Sequence, residues 1–212
     1  MKRLLGNSTS STASLRLNLF AILLGAVVLA AAFPADEAIG HASKLNYLPD
    51  ITLTDQNSRA ISLSSLRGQP VLVGFIHTMC KGVCQMMTAN MRSVATALPP
   101  AMAAGVRMLL ITTDPAEDRP SQLLQYAKNQ DLAGKEWILV TGSEDSIKRV
   151  MRLYGVRHEE TDEAMMHVMK LFLLAPGGTL ARVYPGMKVS AHTVAADIET
   201  LSHRNSDAAP RI

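Results

Sequence analysis

The stretch VLVGFI, Val71 to Ile76, constrains the fold of this chain more than any other. Six apolar residues follow the turn-forming Gly68-Gln69-Pro70 and give way to His77-Thr78. A continuous apolar run of this length suits a central strand buried on both faces; a half-exposed strand would alternate. Such a strand needs a layer on each side, and the rest of the chain supplies candidates. A helix is expected from near Cys80 to Leu98, where Pro99-Pro100 stops it. Val106 to Thr112 reads as a second buried strand, and Asp114-Pro115 opens a loop. Ser121 to Asn129 predicts a helix and Trp137 to Val140 a short strand. Ser143, with Ser146 as a second choice, can cap a helix that runs to Tyr154 and stops at Gly155. Val168 to Leu174 predicts a strand, Pro176-Gly177-Gly178 a tight turn, and Leu180 to Tyr184 its hairpin partner. Ser190 caps a last helix to about His203. Ahead of all this, Ile51-Thr52-Leu53, a turn at Asp55-Gln56-Asn57 and Ala60 to Leu63 form a hairpin-like opening. The alternation of strands and helices predicts a three-layer α/β fold around a central mixed sheet.

The ends of the chain read differently. Lys2 and Arg3, then Arg16, precede an apolar run from Leu17 to Phe33 broken only by Asn18. This is the pattern of a secretory signal or of an uncleaved N-terminal anchor, with Ala30-Ala31-Ala32 and Ala35 as small residues for cleavage. The organisation expected is a signal or anchor over 1–35, a polar tether over 36–44, a folded domain over 45–203 and a flexible tail over 204–212. The chain would then be exported, to the periplasm or the outer face of the inner membrane. Its basic balance belongs to the leader. Of 21 basic residues three lie before Asp36, which leaves 18 against 18 acidic ones. A neutral domain gives no electrostatic footprint for nucleic acid.

The only two cysteines of the 212 residues, Cys80 and Cys84, fall where the first buried strand hands over to its helix. Open α/β sheets gather ligands at the carboxyl ends of their strands, and a helix N-terminus favours thiolate. If the segment is helical, the pair sits at i and i+4 on one face. Two thiolates so placed could chelate an ion or close a disulfide; two buried structural cysteines are the plainer alternative. Zinc wants four ligands, whereas Cu(I) is content with two thiolates and one further soft or borderline donor. The histidines are His41, His77, His158, His167, His192 and His203. His41 lies in the tether, His158 in a charged loop, His192 at a helix start and His203 near the end. His77 is close to Cys80 at the strand end. His167 stands immediately before the buried strand VMKLFLL. Met79, Met86, Met87 and Met91 surround the cysteines, and Met165, Met166 and Met169 surround His167. Core filling is their ordinary role, although a thioether is also a Cu(I) donor.

Four segments together resemble the SCO/SenC family of copper-delivery proteins of cytochrome oxidase assembly. FIHTMCKGVCQMMT resembles its strand-to-helix segment through Phe75, Thr78, Cys80, Cys84 and Met87. ITTDPAEDRP resembles its DPxxDxP loop through Asp114, Pro115, Asp118 and Pro120. HVMKLFLLAPGGTL resembles its histidine strand and hairpin through His167, Pro176 and Gly178, and ITLTDQNSRAISLSSLRGQPVLV its first hairpin through Asp55, Leu63, Leu66, Gly68 and Pro70. The chain departs from the family at Gln85, where members commonly have proline, at Met166, where many have aspartate, and at Lys81. The resemblance implies a thioredoxin-like fold and one copper, Cu(I) with Cu(II) as a second state, held by Cys80, Cys84 and His167. It implies a metallochaperone rather than an enzyme, whose cysteines also form a redox disulfide. The partners implied are a copper donor protein, a copper-bearing oxidase subunit or another cuproprotein, and the membrane if the leader is retained. A thiol–disulfide oxidoreductase or peroxidase-like enzyme is the competing reading. The Cys-x-x-x-Cys spacing and the lack of any proline between Pro120 and Pro176 argue against it. An interaction scaffold that has lost its metal is a third.

Overall fold

The computed structural model describes residues 46–157, 170–185 and 189–208. Among the described residues seven strands form one mixed sheet. They are β1 (Thr52–Asp55), β2 (Ala60–Ser62), β3 (Val71–Ile76), β4 (Arg107–Thr112), β5 (Trp137–Thr141), β6 (Lys170–Leu174) and β7 (Leu180–Pro185). Their order across the sheet is β2-β1-β5-β4-β3-β6-β7. The central strands β3, β4 and β5 are parallel. The β6–β7 hairpin joins antiparallel at β3, and the β1–β2 hairpin joins antiparallel at β5. The helices are α1 (Val83–Ala97), the single turn α2 (Pro100–Ala103), α3 (Pro120–Asn129), α4 (Glu144–Tyr154) and α5 (Ala191–Ala208). No described helix is long and apolar enough to cross a membrane. The leader over 1–35, the tether over 36–44, and His41, His158 and His167 lie outside the described residues.

All six residues of β3 are buried, as its unbroken apolar run requires. Alternation along the strands sorts their side chains into two cores. Leu72, Ile76, Met108, Leu110, Leu139, Leu171 and Leu173 face one side, where α1, α3 and α5 supply Met87, Met91, Leu123, Val194 and Ile198. Val71, Val73, Phe75, Leu109, Ile111, Val140 and Phe172 face the other, where α4 supplies Ile147, Val150 and Tyr154. Tyr154 packs edge-on against Phe75, Phe172 and Tyr47, with ring centroids 5.0–5.2 Å apart, and its hydroxyl donates to the Tyr47 carbonyl. Such a three-layer arrangement fills both faces of the sheet and leaves the carboxyl end of β3 as the place where two layers part.

Local chemistry sets the helix ends. Ser143 caps α4, its hydroxyl accepting from the Ser146 amide, and Gly155 closes it at φ 64° in the left-handed region. Pro120 stands in the first turn of α3, one residue earlier than expected, where its missing N–H costs nothing. Two boundaries differ more. The first long helix begins at Val83, not at Cys80, because Gly82 has a non-helical backbone (φ −127°, ψ −85°) and His77 to Cys80 is occupied by a turn. The last helix runs through Arg204 to Ala208, past its expected end at His203, because nothing breaks it before Pro210. β6 starts at Lys170; Val168 and Met169 lie outside the described residues.

Gly74 lets α1 close on the sheet. A Cβ there would lie 3.0 Å from Met91 Sδ, 3.1 Å from Met87 Cε and 3.2 Å from Leu110 Cδ2. Gly74→Val would therefore overfill the layer directly beneath the cysteine helix. It should lower the free energy of unfolding by about 1–3 kcal/mol, read as a lower denaturant midpoint at unchanged slope.

Candidate metal centre

β3 ends at Ile76, and the chain at once makes a four-residue turn. The Cys80 amide donates to the His77 carbonyl at 3.2 Å, which brings the first and last residues of the turn together. Cys80 then precedes a helix that has no side-chain cap at Gly82. Its sulfur takes over that duty: Cys80 Sγ accepts from the Cys84 amide at 3.3 Å. Cys84 is in the first turn of α1. The ligand atoms of His77, Cys80 and Cys84 all lie within 4.8 Å of one another. Cys80 is 3% exposed and Cys84 0%, and no disulfide joins them. Two buried thiols and one half-buried imidazole are a soft donor set of the kind that selects Cu(I) over hard cations.

The turn is held from behind. Asp118, fully buried in the loop between β4 and α3, accepts from the Thr78 amide at 3.1 Å with each carboxylate oxygen. The hydroxyls of Thr78 and Thr112 also donate to it, one to each oxygen. Every partner is a donor, the pattern an ionised carboxylate requires. The Asp118 amide in turn donates to the Asp114 carbonyl, so the loop is closed on itself. One carboxylate thus ties the end of β4 to the turn that carries His77 and Cys80.

A second tie runs below the cysteines. Tyr126, on α3, donates to the Cys84 carbonyl at 3.4 Å and shares a 2.8 Å hydrogen bond with Thr88 on α1. Burial pushes the Tyr126 phenol above its ordinary pKa; the Thr88 bond opposes the rise, and the charges of Cys84 and Cys80 add to it. The phenol stays protonated and remains a donor.

The structure brings Cys80 and Cys84 together as the spacing implied, but through a turn and a first helical turn rather than one helix face. It adds His77, which sequence position alone left at an undecided strand end. His192 and His203 are exposed, as expected of solvated histidines. Lys81 and Gln85 are exposed as well, so neither departure from the family pattern fills the site. Thr88, Thr112 and Tyr126 carried no signal in the sequence, and Thr78 only its place in the family segment. Asp118 did, within DPAEDRP, but its partner Thr78 is 40 residues away. Asp118→Ala would leave the Thr78 amide and two hydroxyls without their acceptor. We expect a loss of about 3 kcal/mol in unfolding free energy, and a Thr78 amide that exchanges with deuterium faster relative to the β4 amides.

Comparisons with known proteins agree with this geometry. The curated SCO1 protein homolog of Bacillus subtilis is 29% identical over 164 residues, spanning 74% of this chain and 84% of that one. Among solved structures, Bradyrhizobium japonicum ScoI with copper bound is similar at 25% identity and a TM-score of 0.58, over 71% of this chain and 96% of that one. BsSco, a member of the Sco family of cytochrome c oxidase assembly proteins in which a disulfide switch was identified, is similar at 27% identity and a TM-score of 0.64, over 74% and 95%. The fold is thioredoxin-like, as in these neighbours. The SCO1/SenC family profile matches residues 40–203, which contain the whole sheet and the His77–Cys80–Cys84 cluster, and the chain belongs to the SCO1/SenC family.

Proposed function

We propose that this chain binds one copper ion at Cys80 and Cys84 and delivers it to a respiratory cytochrome oxidase subunit, or keeps that subunit's cysteines reduced. The observation that carries the reading is the cluster itself: two buried thiols and an imidazole preassembled within 4.8 Å at the carboxyl end of β3. A copper-bound structure of a relative supports the choice of metal. The basic leader and its apolar run support an exported site, in the periplasm or at the outer face of the inner membrane. A copper donor protein would load the chain there.

Two imidazoles bear on the third position. The family resemblance assigns it to His167. β6 runs antiparallel to β3, so its first residue, Lys170, lies towards the cysteine end of the sheet, and His167 is three residues upstream of it. His77 belongs to the preassembled cluster. Three donors, two thiolates and His167, satisfy Cu(I); a fourth, His77, completes the four-coordinate set that Cu(II) prefers. Metal binding releases the thiol protons, and the Cys80 sulfur can hold the Cys84 amide in either state.

The reduced full-length chain should take up close to one Cu(I) in competition with a chelator, and Cys80→Ser with Cys84→Ser should abolish it. Retained binding in that double variant would put the metal elsewhere. His167→Ala should weaken Cu(I) binding ten- to a hundredfold, about 1.4–3 kcal/mol. His77→Ala should cost Cu(I) only a few fold while removing one nitrogen from the paramagnetic resonance spectrum of the Cu(II) form. The reverse order of effects on Cu(I) would make the site a compact one within HTMCKGVC.

Thiol chemistry has its own test. Mild oxidation should remove two hydrogens from the monomer as Cys80 and Cys84 join, yet insulin should be reduced far more slowly than by a thioredoxin. Thioredoxin-like turnover would favour the general oxidoreductase instead.

A further inference from the structure

Few large apolar side chains among the described residues are exposed. Met79 is 68% exposed and Met86 52% exposed; Val183, on the edge strand β7, is the third. Along the chain the two methionines flank the cysteines of the metal centre. Met79 stands at the outer corner of the turn between His77 and Cys80, and Met86 lies two residues beyond Cys84 in the first turns of α1. They contrast with Met87 and Met91 on the same helix, which are buried beneath Gly74 and fill the core. Packing explains the second pair and not the first. A surface turn ordinarily carries polar residues, and exposing a methionine forfeits the free energy its burial would contribute. What the exposed pair retains is two soft thioether sulfurs, one and two residues along the chain from cysteine sulfurs that are themselves almost wholly covered.

We infer that Met79 and Met86 are first-contact ligands for a soft monovalent cation, Cu(I), on its way to and from Cys80 and Cys84. The inference rests on the copper-binding role proposed above. A cuprous ion held by a donor cannot reach a buried sulfur without shedding a ligand first. An exposed thioether can join its coordination shell while the donor still holds it. Transfer is then ligand exchange at constant oxidation state. A copper–thioether bond breaks as a copper–thiolate bond forms, each thiol yields its proton to solvent, and the thioether is released unchanged. A ligand absent from the final complex speeds loading and unloading by the same factor.

The test uses the reduced full-length chain and Cu(I) presented as a chelator complex. Met79→Leu with Met86→Leu keeps apolar bulk and removes both sulfurs. Loading, followed by the chelator's absorbance in stopped flow, should slow at least tenfold, and unloading to excess chelator should slow equally. Unchanged rates would overturn the inference. So would a change in unloading alone, which would make a methionine a ligand of the final site. Independently, Ag(I) titrated into the Cys80→Ser, Cys84→Ser chain should shift the 13C-methyl signals of Met79 and Met86 and leave those of Met87 and Met91 in place. Unshifted signals would overturn it too. A parent chain that takes up no copper would overturn the proposed function, and the silver titration would still decide the methionines.

Discussion

The buried carboxylate of Asp118 is the interaction on which the site depends. A carboxylate out of water is costly unless its lone pairs are filled. Here both oxygens are filled by donors that come from two different segments, Thr78 on the turn after β3 and Thr112 at the end of β4. The energy that would otherwise oppose burial of the charge therefore fixes the turn. His77 and Cys80 are the ends of that turn, so their approach is set before any metal arrives. Preorganisation of this kind matters most for a site with few ligands, because each donor left to find its own position adds ordering cost to the binding.

The layer beneath explains why the second cysteine can be as deeply buried as the first. Gly74 removes a side chain from the face of β3 that α1 covers, and the adaptable side chains of Met87 and Met91 fill the space left. α1 consequently lies close to the sheet with Cys84 on its inner side. Tyr126 and Thr88 then fasten that first turn to α3 from below. The sulfurs sit where two covering layers part, with a strand end above, a helix start beside them and a hydrogen-bonded pair of polar side chains underneath.

Much of this was legible in the sequence, and the remainder fails for identifiable reasons. Val71 to Ile76 and Val106 to Thr112 read as buried strands because continuous apolar character leaves no exposed face to assign. Ser143 and Gly155 marked a helix because capping is local chemistry. α1 starts three residues past Cys80 because Gly82 breaks from helical backbone and because the turn before it is held from afar: Asp118 pins Thr78 from 40 residues away. The side to which His77 turns is undecided in the sequence for a related cause. A residue at a strand end can turn to either side, and only the closed turn from His77 to Cys80 decides which. The two kinds of methionine were indistinguishable by position, since exposure depends on which way the turn and helix face after they close.

Copper binding and thiol oxidation follow from one electrostatic problem. Two thiolates this close together in a buried site would repel each other, because Coulomb repulsion is weakly screened there. Protonation relieves the repulsion but gives up the nucleophile and the ligand. Oxidation relieves it by removing two electrons and leaving a neutral disulfide. Cu(I) relieves part of it by adding one positive charge shared between both sulfurs, and Cu(II) relieves more. On the proposed reading, the enclosure that suits the thiol pair to a soft metal would also favour its oxidation, and the turn that holds Cys80 over the Cys84 amide suits either outcome.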